Sequence, residues 1–155
     1  MTISIKAYAR FCAPNVLARV METTPEEAAA YLKAGGHAAP GGGTLDWGKA
    51  LEDLGAVPVD ISTTRCGREA KAKYEAKSKA AWERYDRDPW GRTPRTPNYA
   101  TMYPTVAAFL REHDWGTYVL TTGSHTVLAE CGKVTVDTMG TGTGRGRVRL
   151  AHKIA

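Results

Sequence analysis

The sequence contains no Cys-x-x-Cys pair, no apolar run approaching the length of a membrane span, and no glutamine. Without paired cysteines a structural zinc site has little support. The three cysteines, Cys12, Cys66 and Cys131, are odd in number and widely spaced, which argues against a disulfide framework. The short apolar runs exclude a transmembrane helix. The opening Met1-Thr2-Ile3-Ser4-Ile5-Lys6 has neither the basic flank nor the apolar stretch of a signal peptide. A cytoplasmic protein is therefore expected, with no metal, no cofactor and no membrane partner.

What is present fits one domain with its own core: 155 residues, 43% hydrophobic and 24% charged. The formal charge of +5 is basic, short of a dedicated nucleic-acid binder. The excess lies between Arg65 and Arg95 and in the tail Arg145, Arg147, Arg149 and Lys153. Either stretch suits nucleic acid or another acidic surface, although a solvated basic face is the commoner arrangement.

Residues 1–11 suggest a strand or an arm. Pro14 suits the first helical position, and Val16, Leu17, Val20 and Met21 recur at helical spacing, so Cys12 falls at or just before a helix N-terminus. Thr24-Pro25-Glu26-Glu27 spells a capping box for a second helix that stops at Gly35-Gly36. After a Gly- and Ala-rich linker, His37 to Gly43, Thr44 is the expected cap of a helix from Leu45 to Leu54. Val57 to Ile61 reads as a strand, at an edge because of Pro58.

Gly67 to Arg87 predicts a charged helix, and Asp88 to Asn98, with three prolines, an irregular loop. The stretch 63–101 reads as a basic insertion in a single domain spanning 1–155. Thr105 caps a short helix bearing Val106, Phe109 and Leu110. Gly116 to Thr121, His125 to Ala129 and Lys133 to Asp137 then form a three-stranded antiparallel meander. The glycine-rich stretch Gly140 to Gly146 lacks the helix, strand and acid that a dinucleotide-binding loop needs, and reads as a loop. The fold class is α+β, with N-terminal helices packed on a C-terminal antiparallel sheet.

A cysteine becomes a nucleophile where its thiolate is stabilised, as at a helix N-terminus or beside an imidazole. Cys12 is placed for the first effect, and His125 is the candidate for the second, as base and then as acid. The last hairpin offers a third member. A three-residue loop, Glu130-Cys131-Gly132, sets His125 opposite Asp137 on one side of the sheet, where the carboxylate can fix the imidazole tautomer. A two-residue loop, Cys131-Gly132, sets His125 opposite Thr138 and sends Asp137 to the other face. His37, His113 and His152 have no identified partner, and the four tryptophans fit core or interface roles.

The order Cys12-Ala13-Pro14-Asn15-Val16-Leu17-Ala18, an amphipathic helical region, Gly123-Ser124-His125-Thr126-Val127-Leu128-Ala129, a short turn and Val134-Thr135-Val136-Asp137-Thr138 resembles the papain-like cysteine peptidase superfamily. It looks most like the small members found in bacteriophages and mobile elements. The resemblance covers the two ends of the chain, about half of it, and implies a papain-like fold in a host cytoplasm. It also implies cleavage of a peptide or amide bond, with Cys12 as nucleophile, His125 as base and Asp137 as orienter. The chain departs from the pattern in two ways. No Gln precedes the cysteine to donate to the oxyanion, and Ala13 stands where an aromatic often follows. The alternative is a non-catalytic accessory protein on the same scaffold. It would dock a protein, peptide or nucleic-acid partner through Lys71, Lys73, Lys77 and Lys79.

Overall fold

The computed structural model describes residues 3–87, 90, 93–139 and 145–154. Six α-helices are seen among them: α1 (Ile5–Tyr8), α2 (Cys12–Val20), α3 (Pro25–Ala34), α4 (Trp47–Glu52), α5 (Arg65–Arg87) and α6 (Val106–Glu112). Five strands, β1 (Val57–Val59), β2 (Thr117–Thr122), β3 (His125–Glu130), β4 (Lys133–Val136) and β5 (Leu150–Ile154), form one antiparallel sheet in the order β1-β5-β2-β3-β4. The chain is α+β.

Alternation along the central strands sorts the core into two layers. Val119 and Leu128 join Val16, Leu17, Leu32 and Leu51 beneath the N-terminal helices. Tyr118, Leu120, Val127 and Ala129 face the other way, packing with Cys66, Phe109 and Val148. The meander is thus covered on both sides, and its buried strands read as near-continuous apolar runs. The stretch 63–101 is tied into this second layer through Cys66 at the start of α5.

Several local expectations need correction. The N-terminal arm is a helical turn, capped by Ser4, whose hydroxyl accepts from the Ala7 N–H. Pro14 occupies the third position of α2, where its missing N–H still falls among the unpaired donors of the first turn. Thr44 does not cap α4, because its hydroxyl is bonded to the Tyr8 phenol at 2.6 Å; Asp46, in the left-handed conformation, precedes the helix instead. The meander is extended by β5, which sits between β1 and β2. The Thr24–Glu27 capping box, the edge position of β1 and the Thr105 cap of α6 appear as the sequence indicates. Of the expected loop 88–98, residues 88, 89, 91 and 92 lie outside the described residues, as do 140–144 of the glycine-rich stretch.

The N-terminus of α5 is capped from another helix. Glu112, the last residue of α6, accepts from the Arg65 N–H at 2.8 Å and the Cys66 N–H at 2.7 Å. Burial works against the Glu112 carboxylate, but the two backbone N–H groups, the Cys66 side chain and nearby His113 outweigh it and hold the group below the usual range. A depressed folded-state value gives stability that is present above the unfolded value and lost as pH falls through the folded one. Glu112→Ala is expected to cost about 1 kcal/mol at neutral pH, the usual magnitude for a lost cap. The gap between the two proteins in urea melts should narrow only as pH falls beneath the ordinary glutamate range, where the wild-type carboxylate protonates in the folded state. A gap unchanged down to about pH 2 would show that the charge contributes nothing.

Candidate active site

Cys12 is the first residue of α2. Phe11, the N-cap, is extended and supplies no side-chain cap, so the N–H groups of the first turn are not masked by it. Asn15 fixes the approach of the chain: its amide donates to the carbonyls of Ala9, at 2.9 Å, and Phe11, at 2.8 Å. Ala13, Pro14, Val16, Leu17 and Ala18 anchor the helix in the core beside Leu128 of β3.

His125 opens β3 after a two-residue turn. Gly123 has φ +60° at the first turn position, as a type II′ hairpin requires, and Thr122 pairs with His125. Cys12 and His125 line one cleft of about 390 Å³, together with Phe11, Thr44 and Trp47. This volume is in the range of small-ligand sites. Trp47 is held in the wall by its indole N–H, which donates to the Thr126 hydroxyl at 3.3 Å.

The hairpin register departs from the expected three-residue loop. The loop is Cys131-Gly132, both with positive φ, and Glu130 faces Lys133. Two consecutive left-handed residues make the type I′ turn whose twist suits a two-residue hairpin. Taken alone, that register would send Asp137 away from His125. A β-bulge reverses the outcome. Ala129 faces Val134 while Leu128 faces Val136, so Thr135 is an extra residue on β4. Past the bulge, Asp137 returns to the side of the sheet that bears His125, and its carboxylate lies 2.7 Å from His125 Nε2. Asp137 is held in turn by the Met139 N–H at 3.0 Å.

The His125 and Asp137 side chains are only 14% and 12% exposed, so water competes weakly for this bond. A carboxylate accepts, so Nε2 carries the proton and Nδ1 is left as the basic nitrogen. Cys12 and His125 thus share a cleft, and His125 and Asp137 share a hydrogen bond.

Two further groups at the cleft were not singled out in the sequence. Tyr8 is fully buried, and its phenol meets the Thr44 hydroxyl. Burial pushes the Tyr8 phenol up, the Thr44 hydrogen bond opposes this, and the Cys12 charge adds to the rise. The phenol stays neutral and retains its proton. If it donates that proton to Thr44, the Thr44 hydroxyl can donate into the cleft. The second group is the loop 38–44, closed by the Ala38–Thr44 bridge and by Ala39 N–H donating to Gly43 O at 2.9 Å. Gly42, at φ +92°, lies so close to the Phe11 ring that a Cβ would collide with it. The clustered glycines of the linker and the tyrosine four residues before Cys12 were the available signals.

The other cysteines have different surroundings. Cys66 is buried, and burial pushes its thiol up, with Glu112 adding to the rise. Cys131 is exposed on the hairpin turn. Of the four insertion lysines, Lys73 and Lys77 line a second cleft. Lys71 and Lys79 pair instead with Glu75 and Glu83 along α5, at 3.9 and 4.0 Å. His152, on β5, is buried, with Nε2 3.5 Å from the Glu52 carboxylate. Among the described residues no three His, Cys, Asp or Glu side chains converge as a metal ion would require, and no helix is long and apolar enough to cross a membrane. Comparison with protein-family models, curated proteins and solved structures finds no match to the chain.

Proposed function

We propose that this chain is a papain-like thiol hydrolase acting on a peptide or amide bond. One observation carries the reading: Cys12 and His125 line a common cleft while Asp137 engages the far nitrogen of the imidazole. In the proposed reaction His125 Nδ1 takes the Cys12 thiol proton and the sulfur attacks the scissile carbonyl carbon. The imidazolium then gives its proton to the leaving amine, producing a thioester. Water, deprotonated by the same nitrogen, hydrolyses the thioester and returns the thiol. Asp137 steadies the imidazolium without taking its proton.

The negative oxygen formed on attack needs donors, and no Gln exists to supply one. The Cys12 backbone N–H and the Thr44 hydroxyl, fed by the Tyr8 phenol, fill that need in this reading. The test uses two chemistries on one thiol. Alkylation by iodoacetamide displaces iodide and forms no oxyanion, whereas hydrolysis of a fluorogenic peptide amide must form one. Peptide mapping should find Cys12 alkylated well ahead of Cys66. Thr44→Val should leave that alkylation rate unchanged while amide hydrolysis falls about a hundredfold or more, the usual cost of one lost oxyanion donor. Equal labelling of Cys12 and Cys66 would overturn the thiol-enzyme reading. Equal hydrolysis by Thr44→Val would overturn only the role of Thr44.

A further inference from the structure

The cleft beside α5 shares no residue with the Cys12 cleft. It has a volume of about 340 Å³ and gathers cations from separate parts of the chain: Lys73 and Lys77 on successive turns of α5, Arg111 on α6, and Arg147 ahead of β5. Glu69 is the acid in its lining, and Arg65 lies 3.9 Å from that carboxylate. Arg147 is held in place by donating to the Tyr103 carbonyl at 3.0 Å. Like charges converge here at an electrostatic cost that an anion would relieve.

Two features separate an extended polyanion from a small anion. The cleft is the centre of a longer basic track: α5 holds eight Lys and Arg against four Asp and Glu, which accounts for most of the net charge of +5. Arg84 falls on the same helical stripe as Lys73 and Lys77, seven residues beyond Lys77. At the rim, aromatic side chains stand next to the cations. Tyr74 lines the cleft and meets Tyr99 edge-on at 6.1 Å, and Tyr99 is 57% exposed. A row of cations flanked by an accessible aromatic face is how proteins grip unpaired bases and their phosphates. An acidic protein segment would use the cations and leave the ring idle.

We propose that this cleft binds single-stranded nucleic acid, with phosphates on Lys73, Lys77, Arg111 and Arg147 and a base stacked on Tyr99. The site lies outside the proposed hydrolase chemistry. The experiment is fluorescence anisotropy of the full chain with a labelled single-stranded oligothymidylate. Four neutralised phosphates predict an affinity that falls about fiftyfold between about 50 and 200 mM salt. The double variant Lys73→Glu/Lys77→Glu should lose at least about tenfold in affinity at low salt, as should Tyr99→Ala through lost stacking. Lys73→Arg/Lys77→Arg should bind like the wild type. Lys71→Glu/Lys79→Glu makes the same charge change outside the cleft and should lose much less.

Alkylation of Cys12 is measured on each variant to confirm that the fold is intact, and it should not change. No binding at low salt would overturn the proposal. So would equal losses in the two glutamate pairs, or poly-glutamate competing as well as unlabelled oligothymidylate; the last result would assign the cleft to an acidic protein.

Discussion

His125→Ala is expected to slow alkylation of Cys12 by about a hundredfold, the low end of what a positioned general base contributes. Nδ1 is the nitrogen left free by the Asp137 bond, and no other histidine lines the cleft. The loss should be specific. Cys66, buried behind the sheet with its thiol pushed up, should react no faster and no slower in the variant.

Removing Asp137 should have a smaller effect of the same kind, because the ring keeps its base but loses its orientation. Asp137→Asn retains an acceptor for Nε2–H and should fall between wild type and Asp137→Ala. The bulge offers an independent check on the side of the sheet that Asp137 takes. Deleting Thr135 removes the bulge but keeps Val136 opposite Leu128, and so keeps Asp137 on the side of His125; the alkylation rate should stay near that of the wild type and well above that of Asp137→Ala. Peptide-resolved mass spectrometry over time measures all of these rates. A wild-type rate at Cys12 in His125→Ala would end the assignment of His125 as base.

The largest loss of stability is expected at Gly67→Ala. The first turn of α5 is folded under the short 3-10 turn Ile61–Thr63, and the Thr64 hydroxyl donates to the Ile61 carbonyl at 2.7 Å while accepting from the Gly67 N–H at 3.0 Å. A Cβ on Gly67 would overlap that carbonyl oxygen. The Cβ position is fixed by the helix backbone and the Ile61 carbonyl is itself backbone, so no rotamer change relieves the clash. The penalty should be about 3 kcal/mol, at the upper end for overpacking a filled interior. Gly41→Ala is the control. A Cβ on Gly41 would point into open space and the φ there is ordinary, so the change should be neutral or stabilising by about 0.5 kcal/mol. Urea unfolding followed by circular dichroism separates the two. A Gly67→Ala midpoint equal to that of Gly41→Ala would show that the start of α5 moves freely.

Local chemistry was readable where its partners are local. The Thr24–Glu27 box lies within four residues, and so does the Thr105 cap of α6. The spacing of Val16 and Leu17 sets the buried face of α2 and so puts Cys12 at its head. Reading failed where a distant group claimed the same atom. Thr44 has the chemistry of a cap, but its hydroxyl is taken by Tyr8, thirty-six residues earlier. At the α5 N-terminus Thr64 takes the Gly67 N–H locally, but the Arg65 and Cys66 N–H groups are taken by Glu112 from another helix, which no local pattern shows.

Asp137 meets His125 through a register other than the three-residue loop that the sequence suggests. Sequence alone cannot show a bulge, which depends on how two strands pair, and here a shorter loop and one extra residue together restore the contact. β5 was missed for a related reason. Leu150-Ala151-His152-Lys153-Ile154 has no clean alternation, because its two adjacent buried residues, Ala151 and His152, point to opposite faces of an interior strand.

The place of β5 between β1 and β2 also shapes how the chain is made. Val57 pairs with Lys153, so β1 waits on the ribosome for nearly a hundred further residues before its neighbour exists. Until then β2 presents its unpaired edge, with Val119 and Leu120 within it, to whatever other chains are nearby. Such long-range pairing closes late and slowly. The nascent protein therefore passes through a stage in which the helices and the meander can form while the sheet remains open down its middle.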